Sequence, residues 1–452
     1  MAEDLSAALS EHAVEFPYER LDKVSLDHLR ANLLDVVAVT VGGVHEEGLE
    51  AVRSFLRATS SRGPAVVFGT GDALAVPAAA MANATAAHAL EFDDAFDEGG
   101  GMHAGPPVHS AALAVADSRG DVSGAEYLTA VAVGLDIAVR LALAPRRDLG
   151  WHRASVFAVF GATAAAGRLL HLTIEQMRDA LGLALSQASG TRQPIFEASL
   201  ATRLHTGFAA RNAVTAAYLA QSGITAAHEA FEGRNGFFTV FQQGEYDRAV
   251  VLDGLGEELW SSRISTKPYP GARPVHALLE AALDVRAGSP DEIVDGVVVR
   301  VPAALAGLGL GRGGWPAGRD ATYSLTYAVA LALATGEAPL GAFVHPSGVE
   351  AAVRPVFERT TVIQDDAGGD HGSLEVTYAS GRVVNRGAAR ASGHPGNPLS
   401  LDAQLAKVWS CSEHAGRPIS QDVLREVIDL AATFEQLSST TAFTSLLATG
   451  GE

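Results

Sequence analysis

Through the first 260 residues, apolar positions recur at helical spacing. LDHLRANLLDVVAVTVGG, AEYLTAVAVGLDIAVRLALA, VFAVFGATAAAGRLL and TIEQMRDALGLALSQASG each carry Ala, Leu and Val three and four positions apart. Start signals accompany them. Ser25 and Asp27 are read as opening one helix, and Thr173 with Gln176 has the spacing of a capping box before another. The alanine content predicts close helix–helix approach, with Gly42-Gly43, Gly182, Gly190 and Gly223 at ends or tight crossings. After Lys267 the pattern changes. KPYPGARP reads as a joint, VHALLEAALDVRA as a helix, and DEIVDGVVVRVP alternates like a strand. ATYSLTYAVALALATG is helical again, and SLEVTYASGRVVNRG predicts a hairpin turning at Ser380-Gly381. LDAQLAKVWSCS and SQDVLREVIDLAATF return to helix. The expectation is a mainly α protein. Both ends of the chain (1–262 and 395–452) build a large all-helical domain, and an α+β lid (263–394) is inserted, with a substrate cleft between them.

Composition narrows the function classes. With 33 Lys and Arg against 52 Asp and Glu the net charge is −19, and no basic cluster offers itself to phosphates, so nucleic acid is not an expected partner. The sole cysteine, Cys411, excludes an internal disulfide, a CxxC metal site and a three-cysteine iron–sulfur cluster. The acidic start MAEDLSAALSEHAVEF lacks the features of a signal peptide, and no apolar run reaches the roughly 18–20 residues of a membrane span. A cytoplasmic protein without membrane partners is expected.

One stretch departs from the bland helical texture. HALEFDDAFDEGGGMHAGPPVH, from His88 to His109, concentrates histidines, carboxylates, glycines and prolines. Asp93, Asp94 and Asp97 match the DDxxD pattern by which some all-α enzymes hold magnesium and diphosphate, although no second metal motif accompanies them. DDAGGD, from Asp365, has the wrong spacing for that partner. His103, His152 and His205 sit near glycines at helix starts, where an imidazole can act as acid or base or can simply bond a carbonyl. Arg203, Arg211, Lys267 and Arg273 lie in polar junctions, where a cation can grip a carboxylate or join an ion pair. Tyr327 lies in an otherwise apolar helix, as a core tyrosine or a cleft residue. These residues supply acid–base chemistry but name no reaction.

Taken together the junction motifs resemble the MmgE/PrpD family, which includes 2-methylcitrate dehydratase, cis-aconitate decarboxylase and iminodisuccinate epimerase. The blocks that carry the resemblance run in order along almost the whole chain: HALEFDD, HAGPPVHSAALA, ALGLALSQASGTRQ, RLHTGFAARNAVTAAYLAQSGITA, FEGRNGFF, KPYPGARPVHA, YSLTYAVALAL and GHPGNPLS. The resemblance implies a helical domain with an α+β lid, a homodimer, and a small carboxylic acid bound in the cleft. It implies Asp93, His103, His152, Lys267 and Tyr327 as catalytic residues. Arg203, His205 and Arg273 become substrate or structural contacts, with no cofactor and no metal. The implied chemistry is abstraction of a proton α to a carboxylate, leading to dehydration, with epimerisation, decarboxylation of a cis-aconitate-like acid, or a non-catalytic scaffold as the alternatives. Departures mark this chain. Thr202 stands where many members carry a lysine of the decarboxylase site, Ala95 where threonine is usual, and Gly271-Ala272 where many have cysteines. Phe96–Met102 also differs from the usual histidine-bearing linker.

Overall fold

A computed structural model describes residues 4–98, 100–306, 313–365 and 371–448. Gly99 of the glycine run and Asp366 to Asp370 of DDAGGD lie outside the described residues. The protein is mainly α, and its contacts divide into two compact units. One contains the residues up to Ala89, Asp93–Ser265 and those from Gln404 on; the other contains Leu90–Phe92 and Thr266–Ala403.

The longer helices of the first unit are α1 (Leu5–Glu15), α2 (Lys23–Gly43), α3 (Leu49–Thr59), α4 (Val76–Ala87), α5 (Gly105–Arg119), α6 (Gly124–Leu143), α7 (Ala158–Leu169), α8 (Ile174–Leu185) and α9 (Ala201–Gln221). The capping box of Thr173 and Gln176 opens α8 as the spacing predicts. Helix α2 opens earlier than expected: its N-cap is Asp22, which accepts from the Ser25 amide, so Ser25 and Asp27 lie inside the first turns. Small residues let these helices approach closely. A Cβ at Gly161 on α7 would meet the Gly134 carbonyl oxygen of α6 at 2.1 Å, and one at Gly207 on α9 would meet Thr85 Oγ1 of α4 at 2.1 Å. The unit is not all-helical, and that expectation is corrected: β1 (Arg62–Val67) and β2 (Asp72–Leu74) pair antiparallel. RGPAVVFGTGDAL is too short and glycine-broken to stand out within a helical background.

The second unit combines α10 (Arg273–Ala287), α11 (Leu325–Thr335) and α12 (Glu350–Phe357) with a four-stranded sheet. Strands β3 (Val294–Val301), β4 (Thr360–Gln364), β5 (Ser373–Tyr378) and β6 (Val383–Gly387) lie in the order β4-β3-β5-β6, with β3 and β4 parallel and the other pairs antiparallel. Alternation in β3 buries Val297, Val299 and Val301 with Leu374 and Val376 of β5, Leu278 of α10 and Leu331 of α11. The β5–β6 hairpin turns at Ser380-Gly381 with Gly381 at φ +84°, as its sequence predicts. Gly296 marks a register shift in β3, which is why an Asp-Gly pair sits inside a strand. Helices α13 (Leu401–His414) and α14 (Gln421–Ala432) close the chain. No described helix is long and apolar enough to cross a membrane.

Candidate active site

The stretch after α4 is not helical, so the DDxxD reading loses its geometric basis: Asp93, Asp94 and Asp97 do not share a helix face. The backbone instead folds back on itself. Ala95 pairs with Ser265, Phe96 pairs with Met102, and the Phe96 amide donates to the Met102 carbonyl at 2.7 Å. Gly100 and Gly101, at φ +71° and +74°, make the reversal between them. This hairpin-like loop returns His103 to the two aspartates it left. Asp97 caps the loop elsewhere, accepting from Ser265 Oγ at 3.0 Å.

His103 Nδ1 lies 2.6 Å from the Asp94 carbonyl oxygen and 3.2 Å from Asp93 Oδ2. A carbonyl can only accept, so Nδ1 carries the hydrogen. In the neutral ring, Nε2 is then the nitrogen that takes up a proton. His88, at the end of α4, places Nδ1 2.9 Å from the same Asp93 oxygen. Asp93 and Asp94 are both fully buried, yet their environments separate them. Burial pushes Asp93 up, but the charges and hydrogen bonds of His103 and His88 outweigh it and hold the carboxyl well below the usual carboxylate range. Asp94 goes the other way. Burial and the neighbouring Asp93 charge push it up to about 7, against smaller opposing effects of His103 and Asn32.

Further imidazoles extend the cluster. The rings of His88 and His103 are 4.8 Å apart, those of His88 and His152 are 6.0 Å apart, and His152 stacks on His205 at 4.1 Å. The His152 amide donates to the Gly190 carbonyl at 3.0 Å. Gly190, at φ +111°, leaves no room for a side chain, since a Cβ would meet His205 Cδ2 at 2.9 Å. Burial, with the charge on His88, lowers His205 to about 4, so its ring is neutral near pH 7. The three sequence-derived histidines thus share one unit with Asp93, and His88 joins them unforeseen.

The second unit gathers its own group. Glu91, between Leu90 and Phe92, adopts φ +53°, a left-handed conformation uncommon for a glutamate. Buried Lys267 donates to the Glu91 carbonyl at 3.0 Å and to its Oε1 at 3.2 Å. The Gly271 amide donates to the same carbonyl at 2.8 Å, and the Tyr323 hydroxyl donates to Glu91 Oε2 at 2.6 Å. Burial and the Glu91 charge push the Tyr323 phenol well above its ordinary value, so it remains a donor. Gly271 is required there: at φ +119° its Cβ would meet the Thr322 carbonyl oxygen at 2.7 Å. Tyr327 does not join this group. Its hydroxyl donates to the Ala342 carbonyl at 2.6 Å inside the core of the unit, and Tyr323, four residues earlier, is the tyrosine that reaches Glu91.

Two of the three expected substrate contacts are committed to the fold. Arg203 donates to the Glu47 carbonyl and lies 3.3 Å from Glu46 Oε2. Arg273 donates to the carbonyls of Ser392 and Ala391 and lies beside His276 Nδ1. Thr202 is buried, and its hydroxyl donates to the Ser199 carbonyl, so the position offers no cation.

A family description of the MmgE/PrpD N-terminal domain matches residues 7–249, and that of the C-terminal domain matches 269–432. The chain belongs to the MmgE/PrpD family. It is 28% identical over 414 residues to a cis-aconitate decarboxylase-like protein of Aspergillus oryzae, covering 83% of this chain and 84% of that protein. It is 30% identical over 290 residues to cis-aconitate decarboxylase of Aspergillus terreus, covering 59% and 57% respectively. The cis-aconitate decarboxylase of Mus musculus is 23% identical over 437 residues, 92% of this chain and 87% of that protein. Two of these relatives are named as cis-aconitate decarboxylase and the third as similar to it.

Within this MmgE/PrpD chain, His88, Asp93 and His103 offer donor atoms within 4.8 Å of one another, a spacing a metal ion could use. Both Nδ1 atoms point at Asp93 Oδ2, and that of His103 must carry a hydrogen, which leaves Nε2 as its lone-pair nitrogen. Glu91 and Tyr323 are the residues that sequence reading passed over. Their signals were visible, since Glu91 lies within HALEFDD and Tyr323 within YSLTYAVALAL, but nothing in one sequence pairs them with Lys267.

Proposed function

We propose that the protein is a metal- and cofactor-independent lyase that removes a proton α to a carboxylate of a small hydroxy-polycarboxylate and eliminates water. The observation that carries the reading is the orientation of His103. Its Nδ1–H is held by the Asp94 carbonyl and the ionised Asp93, which fixes the ring and makes Nε2 the base. Asp93 also stabilises the imidazolium that forms. In the elimination, the C–H electron pair becomes the new carbon–carbon double bond, the proton passes to Nε2, and hydroxide leaves with a proton from a second acid as water. His152 is the nearby imidazole suited to supply that proton, and His205, neutral near pH 7, is suited to hydrogen-bond an anionic group. In the second unit the cation Lys267 and the neutral donor Tyr323 already hold the Glu91 carboxylate.

Decarboxylation is the second reading, favoured by the names of the relatives. There the His103 imidazolium would donate a proton to carbon as the bond to carbon dioxide breaks. Thr202 weighs against a mechanism that needs a lysine at that place. Incubation with small di- and tricarboxylates in deuterated water, followed by NMR and mass, separates the outcomes. Loss of water supports the dehydratase and loss of carbon dioxide the decarboxylase. Deuterium gained at the α-carbon without either supports an epimerase using the same base. No exchange, loss or binding with any compound would overturn the acid–base reading in favour of a scaffold.

A further inference from the structure

Asp94 has a second set of contacts that acid–base chemistry at His103 does not use. Its Oδ2 accepts from the Gly105 amide, in the first turn of α5, at 2.9 Å, and from Asn32 Nδ2 of α2 at 3.2 Å. With its amide nitrogen turned to Asp94, Asn32 presents Oδ1 to His109 Nε2 on α5 at 2.9 Å. His109 Nε2 therefore donates, and its Nδ1 accepts from the Tyr127 hydroxyl of α6 at 2.7 Å. Donation runs one way, from Tyr127 through His109 and Asn32 to Asp94. Burial lowers His109 to about 3, in keeping with the neutral ring this order requires.

Asp94 Oδ1, like Asp93 Oδ1, is buried with no hydrogen-bond partner. Asp93, however, has the side chains of His88 and His103 at 2.9 and 3.2 Å to offset its charge, whereas the donors to the Asp94 side chain are uncharged. Ionised, Asp94 would place an unsolvated charge beside the already ionised Asp93, and a carboxyl in that setting keeps its proton. We infer that Asp94 works as a neutral carboxyl and is a positioning residue for His103. Its side chain ties the loop to α5 and, through the relay, to α2 and α6, while its own carbonyl holds His103 Nδ1. The inference rests on His103 being the base. Facing Asp94 are Asp93 and His103, with His88 behind Asp93. From α2 comes Asp35, which is paired with Lys407 of α13 at 2.5 Å. Asn32, His109 and Tyr127 are uncharged near neutrality.

As pH rises through about 7, Asp94 ionises. The added negative charge strengthens the hold of His103 on its proton and repels an incoming carboxylate, so turnover declines above that pH. The test combines rate–pH profiles with NMR titration of [13Cε1]histidine-labelled full-length protein, the His103 signal being assigned by its loss in His103→Gln. In the wild type, the His103 signal shows a step near pH 7. Asp94→Asn reproduces the neutral carboxyl: it keeps turnover within about threefold of wild type at pH 6, and loses both the alkaline decline and the NMR step. Asp94→Ala falls more than tenfold at every pH. Asn32→Ala, which removes a donor that favours the ionised form, moves the step to higher pH. A folded Asp94→Asn protein as inactive as Asp94→Ala, or one that keeps the step, would overturn the inference. The NMR step is read without substrate, so its presence in a protein with no turnover would sink the acid–base reading and leave the protonation of Asp94 standing.

Discussion

Two neighbouring aspartates, Asp93 and Asp94, share burial and differ in charge because their donors differ. Asp93 receives two imidazole N–H groups on one oxygen, whereas Asp94 receives two uncharged amide donors and faces a carboxylate. His103 is the residue on which the proposed chemistry turns. His103→Gln keeps an uncharged side chain of similar reach and leaves Asp93 its bond to His88, so the fold should hold. Turnover should drop by about 10²–10⁴-fold, the usual contribution of a positioned general base. A folded variant with more than a tenth of wild-type kcat would remove His103 from that role. The proposed metal-independent chemistry also predicts that exhaustive dialysis against a chelator leaves activity unchanged. Loss of activity that magnesium or zinc restores would revive a metal at His88, Asp93 and His103. At this scale the sequence was legible for residue types and opaque for their pairing. His103, His152 and His205 stood out because polar groups between apolar helices are conspicuous. Tyr327 and Tyr323 sit four positions apart in the same block, and only side-chain direction tells which meets Glu91 and which fills the core.

Helices were the most readable elements, because α6 to α8 repeat apolar residues over several turns and α8 carries both halves of its capping box. The failures have local causes. Asp22 outcompetes Ser25 as N-cap of α2 through its bond to the Ser25 amide, and β1–β2 is too short to announce itself. Small residues decide how the elements pack. The α6–α7 crossing brings Gly161 against the Gly134 carbonyl, so Gly161→Val must force the helices apart. The expected cost is about 3 kcal/mol, at the upper end for overpacking. It would be read as a lowered midpoint in urea without a change of slope. An unchanged midpoint would mean that the crossing is loose.

For the molecule as a whole, buried ionisable groups set the pH dependence of stability. Asp94 and Asp117 have folded values raised to about 7 and about 6 from 3.8, so their contribution is full below pH 3.8 and is lost as pH rises through 6 to 7. His109 and His205 are lowered from 6.5 to about 3 and about 4, so theirs is full above pH 6.5 and is lost as pH falls through 4 to 3. Each proton is worth about 1.4 kcal/mol per pH unit. Between about pH 4.5 and 6 the two pairs oppose each other, two protons against two, and largely cancel. Below about pH 4 the aspartate pair no longer compensates, and Asp93, held low by its histidines, adds to the loss. Thermal melts should therefore show a plateau in Tm across the middle window and a steep fall below it. A Tm that climbs steadily from pH 4.5 to 6 would mean that the two aspartates do not offset the lowered histidines, to which part-buried His28 also belongs.

The chain by itself determined the helical character, the strand-bearing stretch after Lys267, the exclusion of an internal disulfide, a CxxC metal site and a three-cysteine cluster, and the family, because periodicity, composition and ordered motifs are linear properties. Only the tertiary structure decided that His88 shares Asp93 with His103, that Lys267 is held by Glu91, that Arg203 and Arg273 serve backbone carbonyls, and that Asp94 is tied to Tyr127 through two intermediaries. Those relations join residues up to 176 positions apart, as between Glu91 and Lys267. Hydrogen bonds are short and directional, so which polar group meets which is fixed only when packing brings their atoms within reach.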